Sequence, residues 1–413
     1  METVENPTVA SSREATKIAN AVGLIPFDTN RLDELMEEAG IDALVVTSKH
    51  NIQYLLGGYR FFFFDHFDAI GVSRYLPILV YAKGHPERCS YIGHPMERYE
   101  QEMNRFWVPT FSPSARMSTD GMTFAVEQLL AFTPKVKRIG IERAFLPVDA
   151  ESVLCAGLPN AELVEAQFPL ERLRAVKSAQ ELDYLRVASD LVVDSMLAVI
   201  ANHGSGVSKY ELVEALRRAE VNRGLTFEYC LITMGTSFNR APSDQILREG
   251  DILSLDSGGN YKGYIGDLCR MAILGEPDDE LEDLLGEIDA IQMAARQPIR
   301  NGARGGDVFA ATEGLVRKSS HGNSLEFVAH GMGLISHEAP RLTDRAPVPY
   351  PAYDAELPLQ EGMVLSIETT ILHPRRGFIK LEDTVVVTRD GCDGFGDRGR
   401  GWNRSGAAVV SSR

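Results

Sequence analysis

Four acidic residues stand inside strongly apolar, strand-like segments, where an unpaired carboxylate is costly. Asp256 ends the segment GDILSLD, Asp267 lies in GYIGDLCRMAIL, Glu368 in GMVLSIETTIL and Glu382 in GFIKLEDTVVVT. A single acid of this kind is commonplace, because one face of an antiparallel strand often meets solvent. Four acids that converge from strands of one sheet would repel one another unless cations neutralised them. The four carboxylates therefore predict a cation site.

A fifth candidate ligand, His330, lies in EFVAHGMGLISHE. A lone histidine after an apolar triplet is commonly a core residue, but Gly331 and Gly333 favour a ligand because glycine lets backbone approach a crowded site closely. Four carboxylates and one imidazole suit divalent Mn, Co, Fe or Zn. Two such ions would share bridging carboxylates and hold a water or hydroxide that is nucleophilic at neutral pH.

The elements that must position these ligands follow a first region with a different pattern. Residues 1–20 are polar and are interpreted as a flexible segment. Residues 21–165 alternate helical and strand patterns, which predicts a small α/β layer domain. Its predicted helices are 27–39, with Asp28 or Thr29 as N-cap, and 122–132, and its predicted strands are 43–47, 76–81 and 138–141.

Residues 170–395 contain the candidate ligands and favour an antiparallel sheet backed by helices, an α+β domain. The predicted helices are 179–202, 208–223, 279–296 and 306–319, the second with a capping box of Ser208 and Glu211. The predicted strands are 229–234, 251–257, 268–274, 363–373 and 378–388. Residues 396–413 are interpreted as a C-terminal tail.

Length and composition limit the possible classes of protein. A chain of 413 residues exceeds the size at which one core normally keeps growing, so two domains are expected. The net charge is −16 and the basic residues are scattered, which argues against nucleic acid as a partner. No apolar run reaches the roughly 18 residues of a membrane span. Five widely spaced cysteines without a CxxC pair, and a polar N-terminus without the apolar core of a secretory signal, indicate a cytoplasmic protein.

Residues from about 170 to 390 resemble peptidase family M24, which includes methionine aminopeptidase, aminopeptidase P, prolidase and creatinase. The matching segments are LRAVKSAQELDYLR, GDILSLDSGGNYKGYIGDLCR, HGMGLISHEAP, EGMVLSIE and IKLEDTVVVT. The eleven-residue step from Asp256 to Asp267 also matches. The resemblance implies an α/β N-terminal creatinase-like domain, followed by an α+β pita-bread domain with a curved antiparallel sheet. It also implies a homodimer.

The resemblance further implies a role for each candidate ligand. Asp256 would bind one metal ion, and His330 and Glu368 would bind the other, while Asp267 and Glu382 bridge both. Glu368 would also carry the proton from the metal-bound water to the leaving group. A further histidine, His337, matches the family's residue that hydrogen-bonds the substrate or its tetrahedral oxyanion.

The sequence departs from the family's pattern around the metal ligands. Family peptidases carry another histidine upstream of the first ligand, but ITMGTSFNRAPSDQILREGD contains none, and Pro242 stands about where it is expected. Thr369-Thr370 replaces a Pro-Gly after Glu368. Lys380 replaces an arginine, and the two are not equivalent in paired hydrogen bonding. We therefore predict a complete set of metal ligands with an altered set of substrate contacts.

Candidates for the altered substrate contacts are Tyr229, Asn239, Arg240 and Arg341, for each of which a solvated loop position is an equal alternative. The run RFFFFDHF at 60–67, which contains His66, is unusually aromatic. It is interpreted either as lining a dimer contact or the partner's pocket, or as part of a domain core.

The leading hypothesis is a dinuclear-metal hydrolase that cleaves a C–N bond, in an Xaa-Pro-like dipeptide or in a small non-peptide amide. A metal-dependent lyase acting on a small organic acid is the enzymatic alternative, because one scaffold can host several chemistries. A non-catalytic binding module is the alternative from another class.

Overall fold

The computed structural model describes residues 25–64, 74–132, 136–344 and 350–410. The chain divides between Leu173 and Arg174 into two compact units. The domain limits predicted at 21–165 and 170–395 remain predictions. Within the described ranges, no helix is long and apolar enough to cross a membrane.

The first unit has a six-stranded sheet with helices packed against it, as the α/β prediction requires. Its strand order is β4-β3-β2-β1-β5-β6, with antiparallel pairs around β2 and parallel pairs elsewhere. The strands are β1 Ala43–Val46, β2 Ile78–Ala82, β3 Ser90–Gly93, β4 Thr110–Pro113, β5 Arg138–Ile141 and β6 Glu162–Glu165. The helices are Thr29–Glu38, Lys49–Leu55, Arg98–Glu102, Ser118–Phe132, Val148–Gly157 and Gln167–Leu173.

The first helix illustrates how local sequence sets an element's limits. The Asp28 side chain accepts a hydrogen bond from the Arg31 N–H at 3.0 Å, which satisfies one of the free donors at the start of the helix. The helix buries Leu32, Leu35 and Met36, which recur at helical spacing. Asp28, one of the two N-cap candidates, is therefore the cap.

The described part of the aromatic run, residues 60–64, is divided between the interior and the surface. Phe61 and Phe64 are buried in a core cluster with Tyr75, whereas Phe62 is 69% exposed. The domain-core interpretation therefore holds for Phe61 and Phe64. His66 lies outside the described residues.

The second unit has an eight-stranded, mainly antiparallel sheet. The main order is β10-β11-β12-β9-β8-β7, with β13 paired to β12 and β14 parallel to β9. The strands are β7 Thr226–Met234, β8 Ile252–Tyr261, β9 Tyr264–Ile273, β10 Leu325–Gly331, β11 Val364–His373, β12 Gly377–Val387, β13 Cys392–Phe395 and β14 Asn403–Arg404. The helices are Ala179–Asn202, Lys209–Asn222, Asp279–Arg296, Asp307–Lys318 and Ala407–Val410.

Strand β8 is longer than predicted, and Asp256 lies within it rather than at its end. The strand continues through Gly258 and Gly259 to Tyr261. A Cβ at Gly258 would overlap the ring of Tyr229, and one at Gly259 would lie 2.6 Å from Val192. These glycines therefore allow close packing on both faces of a continuous strand.

The prediction of a C-terminal tail at 396–413 is wrong for residues 402–404. Trp402 is buried in a core cluster of the second unit, and its indole N–H donates to the Leu281 carbonyl at 3.0 Å. Asn403–Arg404 then pairs with β9. An aromatic ring that packs and a strand that adds to the sheet make this segment part of the domain.

Candidate metal site

Neighbouring strands bring the four predicted carboxylates to one place. Glu368 on β11 lies directly opposite Glu382 on β12. Asp256 on β8 and Glu382 both lie opposite Cys269 of β9, so β9 separates their strands. Asp267 lies two residues from Cys269, on the same side of β9. Ligand atoms of Asp256, Asp267 and Glu382 lie within 4.8 Å of one another.

His330 completes the cluster from the neighbouring strand β10. Its Nε2 lies 3.0 Å from Glu368 Oε1, and its ring stacks on His337 with 3.8 Å between centroids. A Cβ at Gly331 would overlap the backbone of Ala339, and one at Gly333 would overlap the Glu338 carboxylate. The prediction that these glycines permit close approach is confirmed.

Lys380 lies inside the carboxylate cluster, which the sequence analysis did not anticipate. Its Nζ is 2.7 Å from Asp256 Oδ2, 2.7 Å from Glu368 Oε2 and 2.8 Å from Glu382 Oε2. The sequence analysis noted Lys380 only as a replacement of the family's arginine. The available signal was its position two residues before Glu382, which places both side chains on one face of β12.

Three further polar groups hold the carboxylates. The Ser366 hydroxyl donates to Glu382 Oε1 at 2.9 Å. The Tyr229 hydroxyl donates to Asp267, and the Arg240 guanidinium donates to Asp256 Oδ2. Such partners orient metal ligands and fix which carboxylate oxygen faces the metal ion.

Burial and mutual repulsion perturb the acids in different directions. Burial, with the charges of Glu382 and Asp256, raises the pKa of Asp267 well above its ordinary value. Burial and Glu368 raise the pKa of Glu382 to about 7. Burial also acts to raise the pKa of Glu368, but Lys380 and His330 outweigh it and lower that pKa. Burial acts to lower the pKa of Lys380, but the carboxylates around it raise that pKa well above its ordinary value.

The donor set fits a divalent cation. Four carboxylates and an imidazole converge with little exposure: Asp256, Asp267, His330 and Glu382 are each at most 4% exposed. Burial and, after it, repulsion from the neighbouring carboxylates raise the pKa values of two of these acids even beside the protein's own cations. A divalent ion would supply the remaining positive charge.

The predicted substrate residues lie in different places. Tyr229 and Arg240 reach the carboxylates, as described above. Asn239 is exposed, and its side-chain oxygen accepts from the Ala241 N–H at 2.9 Å, so it stabilises its own loop. Arg341 is 3% exposed and its Nη2 donates to the His337 carbonyl at 3.0 Å. The solvated-loop alternative is therefore wrong for the buried Arg341.

Two sequence-family models match the chain. Residues 183–389 match metallopeptidase family M24, and residues 29–176 match the creatinase/prolidase N-terminal domain. The fold and the site thus define a peptidase-type domain that follows an accessory α/β domain along the chain. The chain belongs to metallopeptidase family M24, in its creatinase and prolidase branch.

Relatives and solved structures agree with this membership. An Xaa-Pro dipeptidase of Pyrococcus horikoshii is 23% identical over 87% of this chain and 94% of its own length. A probable dipeptidase of Mycobacterium tuberculosis is 33% identical over 54% of this chain and 58% of its own. The structure of an Xaa-Pro dipeptidase from Bacillus anthracis superposes with a TM-score of 0.74, covering 89% of this chain and 96% of that one at 22% identity. The predicted pita-bread fold with a creatinase-like N-terminal domain is confirmed, and the membership supports a hydrolase.

Proposed function

We propose that this chain is a divalent-metal-dependent hydrolase that cleaves the C–N bond of an Xaa-Pro-like dipeptide or of a small non-peptide amide. The observation that carries the proposal is the convergence of the five predicted ligands in a buried cluster. Its relatives named as dipeptidases support C–N bond cleavage.

Asp256, Asp267, His330, Glu368 and Glu382 are the candidate ligands for the metal. A divalent ion bound there supplies a water that is nucleophilic at neutral pH and polarises the substrate's acyl oxygen. The family resemblance implies two ions.

Glu368 is suited to carry a proton. Its side chain is 13% exposed, so it can meet both water and substrate. Its lowered pKa keeps the carboxylate ionised before the reaction. An ionised carboxylate at this position can accept a proton from the attacking water and then donate that proton to the leaving nitrogen. His330 Nε2 and Lys380 Nζ hold its two oxygens at 3.0 and 2.7 Å, which fixes the direction of that transfer.

His337 is suited to stabilise the oxyanion. Burial and the neighbouring His330 lower the pKa of His337 to about 3, so the ring is neutral at physiological pH. Its Nδ1 is buried and has no hydrogen-bond partner among the residues that the structure describes. A neutral imidazole with an unused nitrogen beside the cluster can donate to an oxygen that becomes negative in the transition state.

A lyase acting on a small organic acid is the second candidate. The observation that favours it is Arg240, whose side chain is 33% exposed while it contacts Asp256. A partly exposed guanidinium beside the cluster can also bind a substrate carboxylate. In a hydrolase the same group would bind the free carboxylate of a dipeptide. Arg240 therefore fits both candidates, and the reaction product distinguishes them.

The test is a substrate panel assayed with Mn²⁺- or Co²⁺-supplemented protein. The panel contains Xaa-Pro dipeptides, small amides and small organic acids, and products are identified by mass spectrometry. We expect amide or dipeptide hydrolysis that Asp267→Ala and Glu382→Ala abolish together with metal retention. Glu326→Ala, at an exposed position of β10, is the control and should keep both.

Elimination products from the organic acids would instead assign the lyase. Metal retention without turnover of any compound would favour a binding module. Turnover in Asp267→Ala equal to that of the unmodified protein would contradict the proposed role of the cluster.

A further inference from the structure

We propose that Lys380 is a built-in cation that fills one of the two cation positions expected in this cluster, so that the chain holds one divalent ion rather than two. This inference rests on the proposed metal-dependent function and concerns the number of ions and their placement.

The ammonium of Lys380 takes up the shared space between carboxylates from three strands. Its contacts with Asp256, Glu368 and Glu382 are all between 2.7 and 2.8 Å. The ammonium donates a hydrogen bond to Asp256 Oδ2 and forms ion pairs with the other two carboxylates, so it lies between all three. A metal ion shared by the same carboxylates would need the space that the ammonium occupies.

The backbone of Lys380 fixes the ammonium's position. Lys380 lies in the middle of β12, pairs with Thr370 of β11 and is 4% exposed. Its carbonyl contacts Cys269 of β9 on the other side. Because its backbone lies between two paired strands, the Lys380 side chain could reach solvent only by leaving all three carboxylates. Their buried negative charges would then lose this compensation.

A charge count points to the same number of ions. The cluster contains four carboxylates, which bind a metal ion in their ionised form. Among the described residues, Lys380 and Arg240 bring a positive charge into direct contact with them. Four negative charges less two positive charges leave two negative charges. One divalent ion neutralises that remainder, whereas a second would leave an excess of two positive charges in a buried site.

Ligands remain for that one ion. Asp267 and His330 belong to none of the three ion pairs of Lys380. With His337 they form a group whose ligand atoms lie within 4.8 Å of one another. The inference therefore places the ion on the side of the cluster nearest His330 and away from Asp256.

The test is the Mn²⁺ stoichiometry of the full chain and of Lys380→Met, a neutral side chain of similar length. Mn²⁺ is titrated calorimetrically, bound metal is measured by elemental analysis, and electron paramagnetic resonance distinguishes an isolated ion from a coupled pair. We expect one ion and an uncoupled spectrum in the unmodified protein. We expect a second ion and a coupled spectrum in Lys380→Met.

Lys209→Met is the matched control, because Lys209 is also fully buried but donates to the Asn239 carbonyl. It should keep one ion. Two ions in the unmodified protein, or one ion in folded Lys380→Met, would overturn the inference and leave the proposed function intact. If Lys380→Met does not fold, the number of Mn²⁺ ions bound by the unmodified protein tests the inference by itself. No metal in any of these proteins would instead overturn the metal-dependent function.

Discussion

Glu338 offers the sharpest test of how the site is supported, because it directly follows His337 and anchors the segment that carries it. Its carboxylate is fully buried and accepts from Arg174 Nη2 at 2.8 Å and from Lys177 Nζ at 3.1 Å. The side chains of these partners are at most 2% exposed. Glu338→Gln keeps the shape but removes the charge that both cations need.

The expected loss follows from burial. Removing one member of a buried ion pair typically costs about 3–5 kcal/mol, because the remaining charge is buried without compensation. Glu356→Gln is the control: Glu356 pairs with Arg304 at 3.1 Å, but its side chain is 78% exposed. Exposed pairs contribute about 0–1 kcal/mol. The buried substitution should therefore cost several times more than the exposed one.

The assay is denaturant unfolding at neutral pH and at lower pH. The two cations outweigh the effect of burial and lower the pKa of Glu338, so its contribution to stability is present above the ordinary glutamate pKa and is lost as pH falls through the lowered value. The difference between the unmodified protein and Glu338→Gln should therefore shrink on acidification. A loss below about 1 kcal/mol at neutral pH, equal to that of the exposed control, would refute the reasoning.

Three other substitutions test separate parts of the account. Burial raises the pKa of Glu220 to about 8. Unfolding therefore releases its proton, and the free energy of unfolding falls as the pH rises from the ordinary glutamate pKa towards 8. Glu220→Gln should flatten this fall in denaturation curves measured across that pH range. Gly258→Ala should cost about 1–3 kcal/mol in the same assay because its Cβ would meet Tyr229, while Gly286→Ala, with open space around its Cβ, should cost nothing. Ser366→Ala should weaken Mn²⁺ binding about 10–100-fold in calorimetry by freeing a ligand carboxylate, and unchanged affinity would show that this hydrogen bond is dispensable.

The cluster of ligands was predictable because the penalty for a buried carboxylate is visible in sequence. Asp256, Asp267, Glu368 and Glu382 each interrupt an apolar segment, and the structure brings all four together. Lys380 lies in the same kind of segment, but it was compared only with the arginine of a family pattern. Its side chain could have been assigned to the ligand face from its two-residue spacing to Glu382 alone.

Other features depend on contacts that are distant in sequence. Strand β6 carries polar residues at both ends and lies at an edge of its sheet, so its sequence lacks the apolar pattern of a buried strand. The continuation of β8 through Gly258 depends on the ring of Tyr229, which lies where a Cβ of residue 258 would be. Helix caps such as Ser208 with Glu211 were predictable, because both partners lie within one turn.

The origin of the oxygen in the product tests the central claim most directly. Mn²⁺-loaded protein is incubated with the amide and dipeptide panel in water labelled with the heavy oxygen isotope, and the carboxylate product is analysed by mass spectrometry. The account predicts label in the new carboxylate, and no product from Asp267→Ala or after chelation of the metal. Product without label, or labelled product formed equally well by Asp267→Ala, would contradict metal-dependent hydrolysis at this cluster.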